Sequence, residues 1–526
     1  MAVIDLLDVS YALPGGWTLF QGVTFRVPSG HHAALVGANG IGKTTLLRVV
    51  AGVEPAAGGA MNVDGRVGFM RQFVARPGDR ASVRDFLLSF AERPMAEAAE
   101  RLKAAEQRLA DRDTAEKAQL EYAHALAAWE EAGGYRAEVL WDGCAVAAIG
   151  VPYAEAADRP IGTLSGGEQK RLALEALFRA PFDVLLLDEP DNFLDIEGKR
   201  WLEREIRASA KTILFVSHDR MLLAATATRV VTLEGRGAWV HSEGYETYAE
   251  AREARLERID EEHRRYAERH RQLIAHMKEM KRKAAYNSGF AKLARSAEKK
   301  VQWHEERDSP REKAAVQDVR MNIRGGRTGK VALRLRGFGM PGMIDPFDSE
   351  VWFGDRVGVI GPNGTGKTHF LRLLAGEEVV HTGEWRLGSR VRPALFAQLH
   401  DRPDLAGTPI VEVLFKSGMN MSEAMSTLKR YELERVGRNP FGLLSGGQQA
   451  RFQLLLMEVE SPTMLLLDEP TDNLDLHSAE ALEDALSRYE GTVIAVTHDR
   501  WFMRMMDRFL LFEDDGPVRE LLESPY

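Results

Sequence analysis

The chain of 526 residues has a single cysteine, Cys144, and no apolar run long enough to cross a bilayer. One cysteine excludes an internal disulfide and is consistent with a reducing cytosol. The opening residues MAVIDLLDVSY do not read as a signal peptide. The lack of a long apolar run argues against a fused membrane transporter. We therefore expect a cytoplasmic protein without a membrane span.

The chain also lacks an excess of positive charge. Its 69 Lys and Arg residues stand against 78 Asp and Glu, for a formal net charge of −9. This balance argues against a generally basic nucleic-acid binder, so any such role requires a local patch. The apolar fraction of 44% is ordinary for a globular protein, and the length leaves room for two or three domains.

Two sequence motifs recur in the same order in both halves. LSGGEQ at 164–169 precedes Asp188-Glu189-Pro190, and LSGGQQ at 444–449 precedes Asp468-Glu469-Pro470. The interval from the motif serine to the aspartate is 23 residues in both copies, and each copy follows a glycine-rich loop. Two complete sets in one order predict a tandem nucleotide hydrolase.

The glycine-rich loops predict phosphate binding. Each follows an apolar segment and precedes a helical one, so backbone N–H groups and a helix N-terminus would face phosphate oxygens. Lys43 and Lys367 would reach the β- and γ-phosphates, while Thr44 and Thr368 would bind Mg²⁺. The predicted loop residues are Gly37, Asn39, Gly40, Gly42, Lys43, Thr44 and Thr45, and then Gly361, Asn363, Gly364, Gly366, Lys367, Thr368 and His369.

Acidic residues after two apolar runs predict phosphoryl-transfer chemistry. Residues 184–187 and 464–467 are predicted as buried strands of a parallel sheet, which places the following acids at strand ends. Asp188 and Asp468 suit Mg²⁺ coordination. Glu189 and Glu469 suit polarisation of the attacking water.

Two further residue types recur at matching positions. His218 and His498 each lie 30 residues after the motif aspartate, and this shared spacing favours a γ-phosphate contact. Gln72 and Gln398 lie 29 and 31 residues after the loop lysines. We predict that both glutamines contact the nucleotide and its metal ion.

The combined set of motifs resembles the ATP-binding cassette (ABC) ATPases. The resemblance implies two P-loop α/β domains in which the LSGGQ segment of one cassette closes over ATP held by the other. It implies that Tyr11 stacks on adenine in the first site, with Phe338 as the candidate in the second. It also implies that Ser165, Gly166 and Gly167 complete the site built on Lys367, and that Ser445, Gly446 and Gly447 complete the site built on Lys43.

The sequence departs from the family pattern in three places. Asp191–Asp195 and Thr471–Asp475 read Asp-Asn-Phe-Leu-Asp and Thr-Asp-Asn-Leu-Asp, where this branch usually has Thr-Asn-His-Leu-Asp. His369 stands where a Ser or Thr usually contacts the α-phosphate. These differences predict unequal turnover at the two sites, without indicating which site is slower.

The first half contains an insertion. Gln72 and Ser165 are 93 residues apart, whereas Gln398 and Ser445 are 47 apart. The inserted stretch, about residues 93–135, predicts an antiparallel helical hairpin with a break at 111–114. A solvated hairpin without a partner stays open as an alternative. One face of its second helix is predicted to carry Leu120, Ala123, Leu126 and Trp129.

A second helical hairpin is predicted between the cassettes, over about residues 248–317. Apolar and aromatic residues step by three and four, which is a heptad seam, and the pattern breaks at 287–289. The tip is expected near 283–291. The seam consists of Leu256, Ile259, His263, Tyr266, His270, Leu273, Met277 and Met280, followed by Ala294, Ala297, Val301 and His304.

The tip of this linker is strongly basic. Residues 271–300 hold nine Lys and Arg against Glu279 and Glu298, a local footprint for a phosphate backbone. Aromatic side chains within it could stack on bases. A basic helix end that only aids solubility stays open as an alternative. The predicted RNA contacts are Lys278, Lys281, Arg282, Lys283, Tyr286, Phe290, Lys292 and Arg295.

Tandem cassettes, a hairpin insertion, a charged helical linker and no membrane domain together resemble the ABC-F family. The segments GGYRAE at 133–138 and GYETY at 244–248 add to the resemblance. It implies an ABC domain over 1–247, a linker over 248–325 and a second ABC domain over 326–526. It also implies a monomer in which ATP pairs the two cassettes.

Members of that family act on the ribosome. The resemblance implies that the ATP-closed form enters the E site, that the linker reaches P-site tRNA and the 23S rRNA of the peptidyl-transferase centre, and that hydrolysis releases the protein. We predict protection of the ribosome from large-subunit antibiotics, with a housekeeping translation factor as the alternative.

Two other classes fit less well. An ATPase subunit that pairs with a separate permease is compatible with the cassettes, but the charged linker argues against it. A DNA-repair or chromosome-maintenance ATPase would carry much longer coiled coils or a zinc module, and one cysteine cannot build a multi-Cys zinc site.

Overall fold

The computed structural model describes residues 3–70, 81–109, 115–287, 290–307, 319–397, 402, 404–513 and 516–526. Both halves contain the same six-stranded sheet, in which five strands run parallel and the last is antiparallel. In spatial order the strands are Val67–Met70, Val184–Asp188, Thr212–Val216, His32–Gly37, Arg229–Glu234 and Gly237–His241, and then Pro393–Phe396, Met464–Asp468, Thr492–Val496, Arg356–Ile360, Arg508–Leu511 and Arg519–Leu521. The predicted α/β fold and the buried strands before both acidic pairs are confirmed.

A smaller antiparallel sheet packs over each main sheet. The helix that follows each phosphate loop, Lys43–Val50 or Lys367–Leu374, lies between the two sheets and buries its leucines there. This packing holds the N-terminus of that helix against the end of the central strand. The strands of the small sheets, in spatial order, are Thr18–Val27, Ile4–Ala12 and Gly58–Val63, and then Ile344–Trp352, Val331–Met340 and Thr382–Leu387.

Helices cover the other face of each main sheet. The helices that begin at the LSGG motifs pack on it, and so do the helices that follow the acidic pairs. The described helices outside the linker and the phosphate loops are Val83–Leu88, Arg93–Leu109, Ala115–Glu131, Gly134–Ile149, Tyr153–Ala156, Gly166–Arg179, Ile196–Ala208, Arg220–Thr226, Ile410–Lys416, Met421–Arg430, Gly446–Glu460 and Leu476–Ser487.

The insertion folds as the predicted helical hairpin, Arg93–Leu109 against Ala115–Glu131. The predicted face of its second helix is wrong in part, because Leu120 is 60% exposed and Ala123 is also exposed. Small side chains form the seam instead. Ala98 and Ala105 on one helix and Ala118 and Ala125 on the other are buried at seven-residue spacing. Alanine lets the two backbones approach closely, which leucine at the seam would prevent. The predicted break at 111–114 lies outside the described residues.

The linker forms two long helices, Tyr248–Tyr286 and Ala291–Arg307, that pack along each other. The predicted seam is confirmed. Ala294, Ala297, Val301 and His304 are buried, and the ring of Tyr266 stacks on His304 with centroids 4.5 Å apart. Ser288 and Gly289 at the tip and residues 308–318 lie outside the described residues. The three-domain division remains a prediction.

Across the described residues, no helix combines the length and apolar character that a bilayer-spanning segment requires.

Candidate active sites

Each phosphate loop is shaped by glycines that other residues could not replace without strain. Gly37, Gly40 and Gly42 all have positive φ, and so do Gly361, Gly364 and Gly366. Lys43 Nζ donates to the carbonyls of Gly37 at 2.8 Å and Ala38 at 3.1 Å, and Lys367 bonds the equivalent carbonyls of its own loop. Both lysines are therefore buried beneath their loops with the ammonium group curled back on the backbone. Burial lowers the pKa of Lys43.

The LSGG segment of each cassette faces the phosphate loop of the other. Asn39 donates through its backbone N–H to Asp475 at 3.1 Å and through Nδ2 to the Asn473 carbonyl at 3.0 Å. Asn363 Nδ2 donates to the Phe193 carbonyl at 3.3 Å in the second site. A Cβ on Gly447 would lie 2.9 Å from the Asn473 carbonyl oxygen and 2.5 Å from Asn39 Nδ2, so glycine suits this close approach. The head-to-tail pairing expected from the family resemblance is present.

Two cavities result from this pairing. The first, of about 480 Å³, is lined by the loop at Lys43 together with Ser445, Gly446 and Gly447. The second, of about 340 Å³, is lined by the loop at Lys367 together with Ser165, Gly166 and Gly167. The other predicted site residues that line them are Asn39, Gly40, Gly42, Thr44, Thr45, Glu189 and His218 in the first, and Asn363, Gly364, Gly366, Thr368, His369, Asp468, Glu469 and His498 in the second.

The two LSGG serines begin helices. Ser165 accepts a hydrogen bond from the Glu168 N–H, and the Glu168 carboxylate accepts one from the Ser165 N–H. Ser445 and Gln448 form the same reciprocal cap. These caps use the serine hydroxyls and leave helix N–H groups directed at the cavities. The LSGG motif is thus both a helix start and an anion-facing surface.

Both candidate catalytic glutamates sit in the left-handed backbone region. Glu189 has φ of 48° and Glu469 has φ of 47°, which is uncommon for residues other than glycine. Their N–H groups donate to the carbonyls of Val216 at 3.0 Å and Val496 at 2.9 Å. Such strain is concentrated at functional sites, where the surrounding structure imposes it. It turns each carboxylate from the strand end into its cavity.

The residues before these glutamates fit a hard divalent cation. Both carboxylate oxygens of Asp188, and Oδ1 of Asp468, are buried without a hydrogen-bond partner among the described residues. Burial and the neighbouring Glu189 together raise the pKa of Asp188 to about 6, while the Thr44 hydroxyl, Lys170 and Lys43 oppose the rise. No group of three or more His, Cys, Asp or Glu side chains in the described part of the chain is placed to hold a metal alone. A bound Mg²⁺ would thus need phosphate oxygens as further ligands.

The two histidines differ in their surroundings. His218 is enclosed, and burial together with Lys43 lowers its pKa to about 3, so the ring is neutral. Neither of its ring nitrogens has a hydrogen-bond partner among the described residues. His498 Nε2 instead lies 3.2 Å from Asn363 Oδ1, and the His498 backbone N–H donates to Glu469 Oε2 at 3.0 Å. A neutral imidazole can offer one N–H to a phosphate oxygen in either cavity.

Comparison with known proteins identifies the family. The ABC transporter family matches residues 20–192 and 344–472, more than half of the chain. A Mycobacteroides abscessus protein named "Antibiotic resistance protein" is 46% identical over 552 residues and spans 100% of both chains. The chain belongs to the ABC-F family of ABC ATPases. Its cassettes bind and hydrolyse ATP.

Other relatives span nearly the whole ABC-F chain. The energy-dependent translational throttle protein EttA of Escherichia coli K12 is 29% identical and covers 98% of this chain and 93% of its own. The tylosin resistance ATP-binding protein TlrC of Streptomyces fradiae is 32% identical and covers 93% and 92%. Among solved structures, an RNase-L inhibitor matches with a TM-score of 0.57 at 18% identity, covering 98% of this chain and 90% of its own. That likeness supports the fold alone.

Several residues that the sequence assigned to the ATP sites do not line the two cavities. Phe338 is fully buried among Phe347, Phe370 and His381, so it cannot stack on adenine, and that prediction is wrong. Tyr11 does not line the first cavity and bonds Glu54 instead, while Leu13 and Leu19 line it. Gly37, Gly361 and Asp188 line neither ATP cavity. Gln72 and Gln398 are outside the described residues.

Sequence reasoning missed two ion pairs that join the cassettes. Arg220 bonds Glu483 through both guanidinium ends, and Arg500 bonds Glu203 in the same way. All four side chains are largely buried. The signal was available, because both glutamates lie 15 residues after a motif aspartate and both arginines lie two residues after a motif histidine.

Proposed function

We propose that this ABC-F protein enters the ribosomal E site in its ATP-closed form and protects the ribosome from large-subunit antibiotics. Its linker would act on P-site tRNA and on 23S rRNA near the peptidyl-transferase centre. The observation that carries the proposal is the basic linker tip on cassettes that already pair head to tail. Names of relatives add support, since they include a translational throttle protein and two resistance proteins.

The side chains at the tip suit a polyanion. Glu279 pairs with Lys283 at 2.7 Å and Glu298 pairs with Lys281 at 2.8 Å. The other basic side chains of this stretch are exposed, and Tyr286 is 91% exposed. Exposed cations beside an exposed aromatic ring can hold phosphates and stack on an unpaired base. The exposed basic residues are Arg271, Lys278, Arg282, Lys292, Arg295, Lys299 and Lys300.

We further propose roles for the cavity residues. Thr44, Asp188 and Gln72 would hold Mg²⁺ with the phosphates at the first site, and Thr368, Asp468 and Gln398 at the second. Mg²⁺ supplies charge neutralisation on the transferred phosphoryl group. Glu189 and Glu469 would orient the attacking water, and hydrolysis would reopen the cassettes and release the protein. A cytoplasmic monomer with intramolecular pairing belongs to the same proposal.

The test is co-sedimentation of the Glu189→Gln/Glu469→Gln variant with 70S ribosomes, with and without ATP. We expect ATP-dependent pelleting, because the closed form cannot hydrolyse its nucleotide. Adding Lys281→Glu, Arg282→Glu and Lys283→Glu should abolish it. The matched control reverses Arg264, Arg265 and Arg269 on the charge-balanced part of the same helix and should leave pelleting intact. Equal loss from both triple variants, or no pelleting at all, would reject the linker-tip proposal.

A housekeeping translation factor is the second candidate, favoured by the similarity to EttA over 98% of this chain. Growth of cells that lack the gene separates the two. Protection predicts normal growth without drug and hypersensitivity to large-subunit antibiotics. A housekeeping role predicts a growth defect that appears without any drug.

A further inference from the structure

At three of the positions that the motifs place in register, the first cassette buries a charged side chain and the second has a small or neutral one. Lys199 lies 11 residues after Asp188, and Ala479 lies 11 residues after Asp468. The other two differences are Lys170 against Ala450, five residues after each LSGG serine, and Asp191 against Thr471. The first cassette therefore buries two ammonium groups and one carboxylate for which the second cassette has small or neutral side chains.

Lys199 stands at the junction of the two sites. It lies on the helix Ile196–Ala208, is 7% exposed, and lines both ATP cavities. Its Nζ is 3.1 Å from Asp219 Oδ2 in its own cassette and 3.4 Å from the His498 carbonyl oxygen in the other. It is therefore a side chain of the first cassette that contacts the backbone of the second site.

The surroundings of Lys199 favour its protonated, positively charged form. Burial lowers its pKa, but the carboxylates of Asp219, Asp191, Asp472 and Asp499 together raise it above the ordinary lysine value. Two of these carboxylates belong to each cassette. A buried ammonium among four carboxylates offsets negative charge on both sides of the interface.

The second site needs such a charge, because its glutamate is supported differently from that of the first. At the first site, Asn192 Nδ2 donates to Glu189 Oε2 at 2.8 Å. The equivalent residue at the second site is Asp472, whose carboxylate cannot donate and repels Glu469. Glu469 accepts its hydrogen bond from the His498 N–H instead, and the carbonyl of that same residue contacts Lys199.

We propose that Lys199 is a positioning residue for ATP hydrolysis at the second site, supplied by the first cassette. It holds His498, whose N–H orients Glu469, and it offsets the charge of Asp472. Ala479 cannot do the same for the first site. Both sites need the LSGG segment of the other cassette, but only the second also receives an ammonium group from the cassette opposite, so the two sites depend differently on closure. This inference rests on the proposed roles of Glu189 and Glu469, and it does not depend on the ribosome.

The test measures ATP turnover by each site separately. Glu189→Gln leaves only the second site active, and Glu469→Gln leaves only the first. In the Glu189→Gln background, Lys199→Met should lower kcat about tenfold with KM within about twofold, since a charge-assisted orientation is lost at the transition state. In the Glu469→Gln background the fall in kcat should be smaller, about threefold at most, because the first-site glutamate is held by Asn192 rather than through Lys199. Equal loss in both backgrounds, or none in the first, overturns the proposal.

Two further variants separate positioning from folding. Adding Asp472→Asn to Lys199→Met restores the amide found at the first site, so kcat of the second site should recover to within about threefold of its starting value. A merely structural lysine would show no such rescue. The Asp191→Thr/Lys199→Ala variant gives the first cassette the uncharged residues that the second cassette has at Thr471 and Ala479. It should fold, because Asp499, the equivalent of Asp219, is held by the N–H groups of Trp501 and Phe502 beside Ala479.

In the Glu189→Gln background, the Asp191→Thr/Lys199→Ala variant should still lower kcat of the second site about tenfold. Full second-site activity in this variant would overturn the proposal. Lys199→Arg keeps the charge and should retain most of the turnover. Residual hydrolysis by Glu189→Gln/Glu469→Gln would instead reject the catalytic assignment of the glutamates, whatever Lys199 does.

Discussion

At the scale of single residues, the two ATP sites share a backbone and differ in a few side chains. In both sites the catalytic glutamate has a left-handed backbone conformation, the loop lysine bonds carbonyls of its own loop, and the LSGG serine caps a helix. The differences include residues that interact directly with the catalytic glutamates. Asn192 supports Glu189 with an amide, whereas Asp472 faces Glu469 with a carboxylate. The two glutamates therefore accept hydrogen bonds from different groups.

Asn192→Asp should slow the first site. The new carboxylate cannot donate to Glu189 and adds like charge beside it, so we expect kcat to fall about tenfold in the Glu469→Gln background. Steady-state phosphate release measures the change. Asp472→Asn in that same background is the matched control and should have no effect, because the second site is already inactive. An unchanged kcat for Asn192→Asp would show that the amide does not orient Glu189.

At the scale of elements, the helical hairpin of the first cassette is held by an alanine seam rather than by a leucine stripe. Ala98 and Ala105 on one helix and Ala118 and Ala125 on the other are buried, and Trp129 packs against Trp141. A seam of small residues brings helices close together and tolerates no added volume. The hairpin lines neither ATP cavity, so its stability and the hydrolysis chemistry are separable.

Ala105→Leu should destabilise this hairpin by about 1–3 kcal/mol, because three added carbons overfill a packed seam. Differential hydrogen exchange across 93–131 measures the local opening. Ala104→Leu adds the same atoms to an exposed position of the same helix and should leave exchange unchanged. ATP turnover should survive both substitutions. Equal protection in the two variants would mean that the helices are not packed at this seam.

At the scale of the whole molecule, two pseudo-equivalent ion pairs hold the cassettes together. Arg220 reaches Glu483, and Arg500 reaches Glu203, each from the segment after a site histidine to the helix after the partner's acidic pair. Because these pairs are largely desolvated, each partner depends on the other for compensation. They connect closure of the interface to the position of the histidines.

Glu203→Arg should oppose closure, because it sets two guanidinium groups against each other. We expect ATP turnover at saturating ATP to fall at least about tenfold, consistent with the cost of breaking a buried charge pair. Fluorescence transfer between labels on the two cassettes reports closure, and ATP should no longer raise it. Glu203→Arg/Arg500→Glu should recover part of both signals. Asp484→Arg disrupts the exposed pair with Arg488 and serves as a control without effect.

Much of the molecule was predictable because its chemistry is local in sequence. The phosphate loops, the acids at strand ends and the LSGG helix starts each depend on residues within about one turn or strand. The duplicated spacing then assigned them to two cassettes, and the linker seam followed from its three-and-four periodicity. The adenine contacts were less predictable. Phe338 is aromatic and so could stack on a base by residue type, yet it is fully buried in the core between the two sheets of its cassette.

By itself, then, the sequence determined the two cassettes, their catalytic motifs and the coiled linker, since each is encoded by contiguous residues and regular spacing. Only the tertiary structure decided how the sites are completed. Lys199 and His498 are 299 residues apart, so no single sequence motif contains both. Their contact exists because two similar domains pair head to tail, and close packing there selects which charges are buried together. The contact of Lys199 with the second site arises from that pairing.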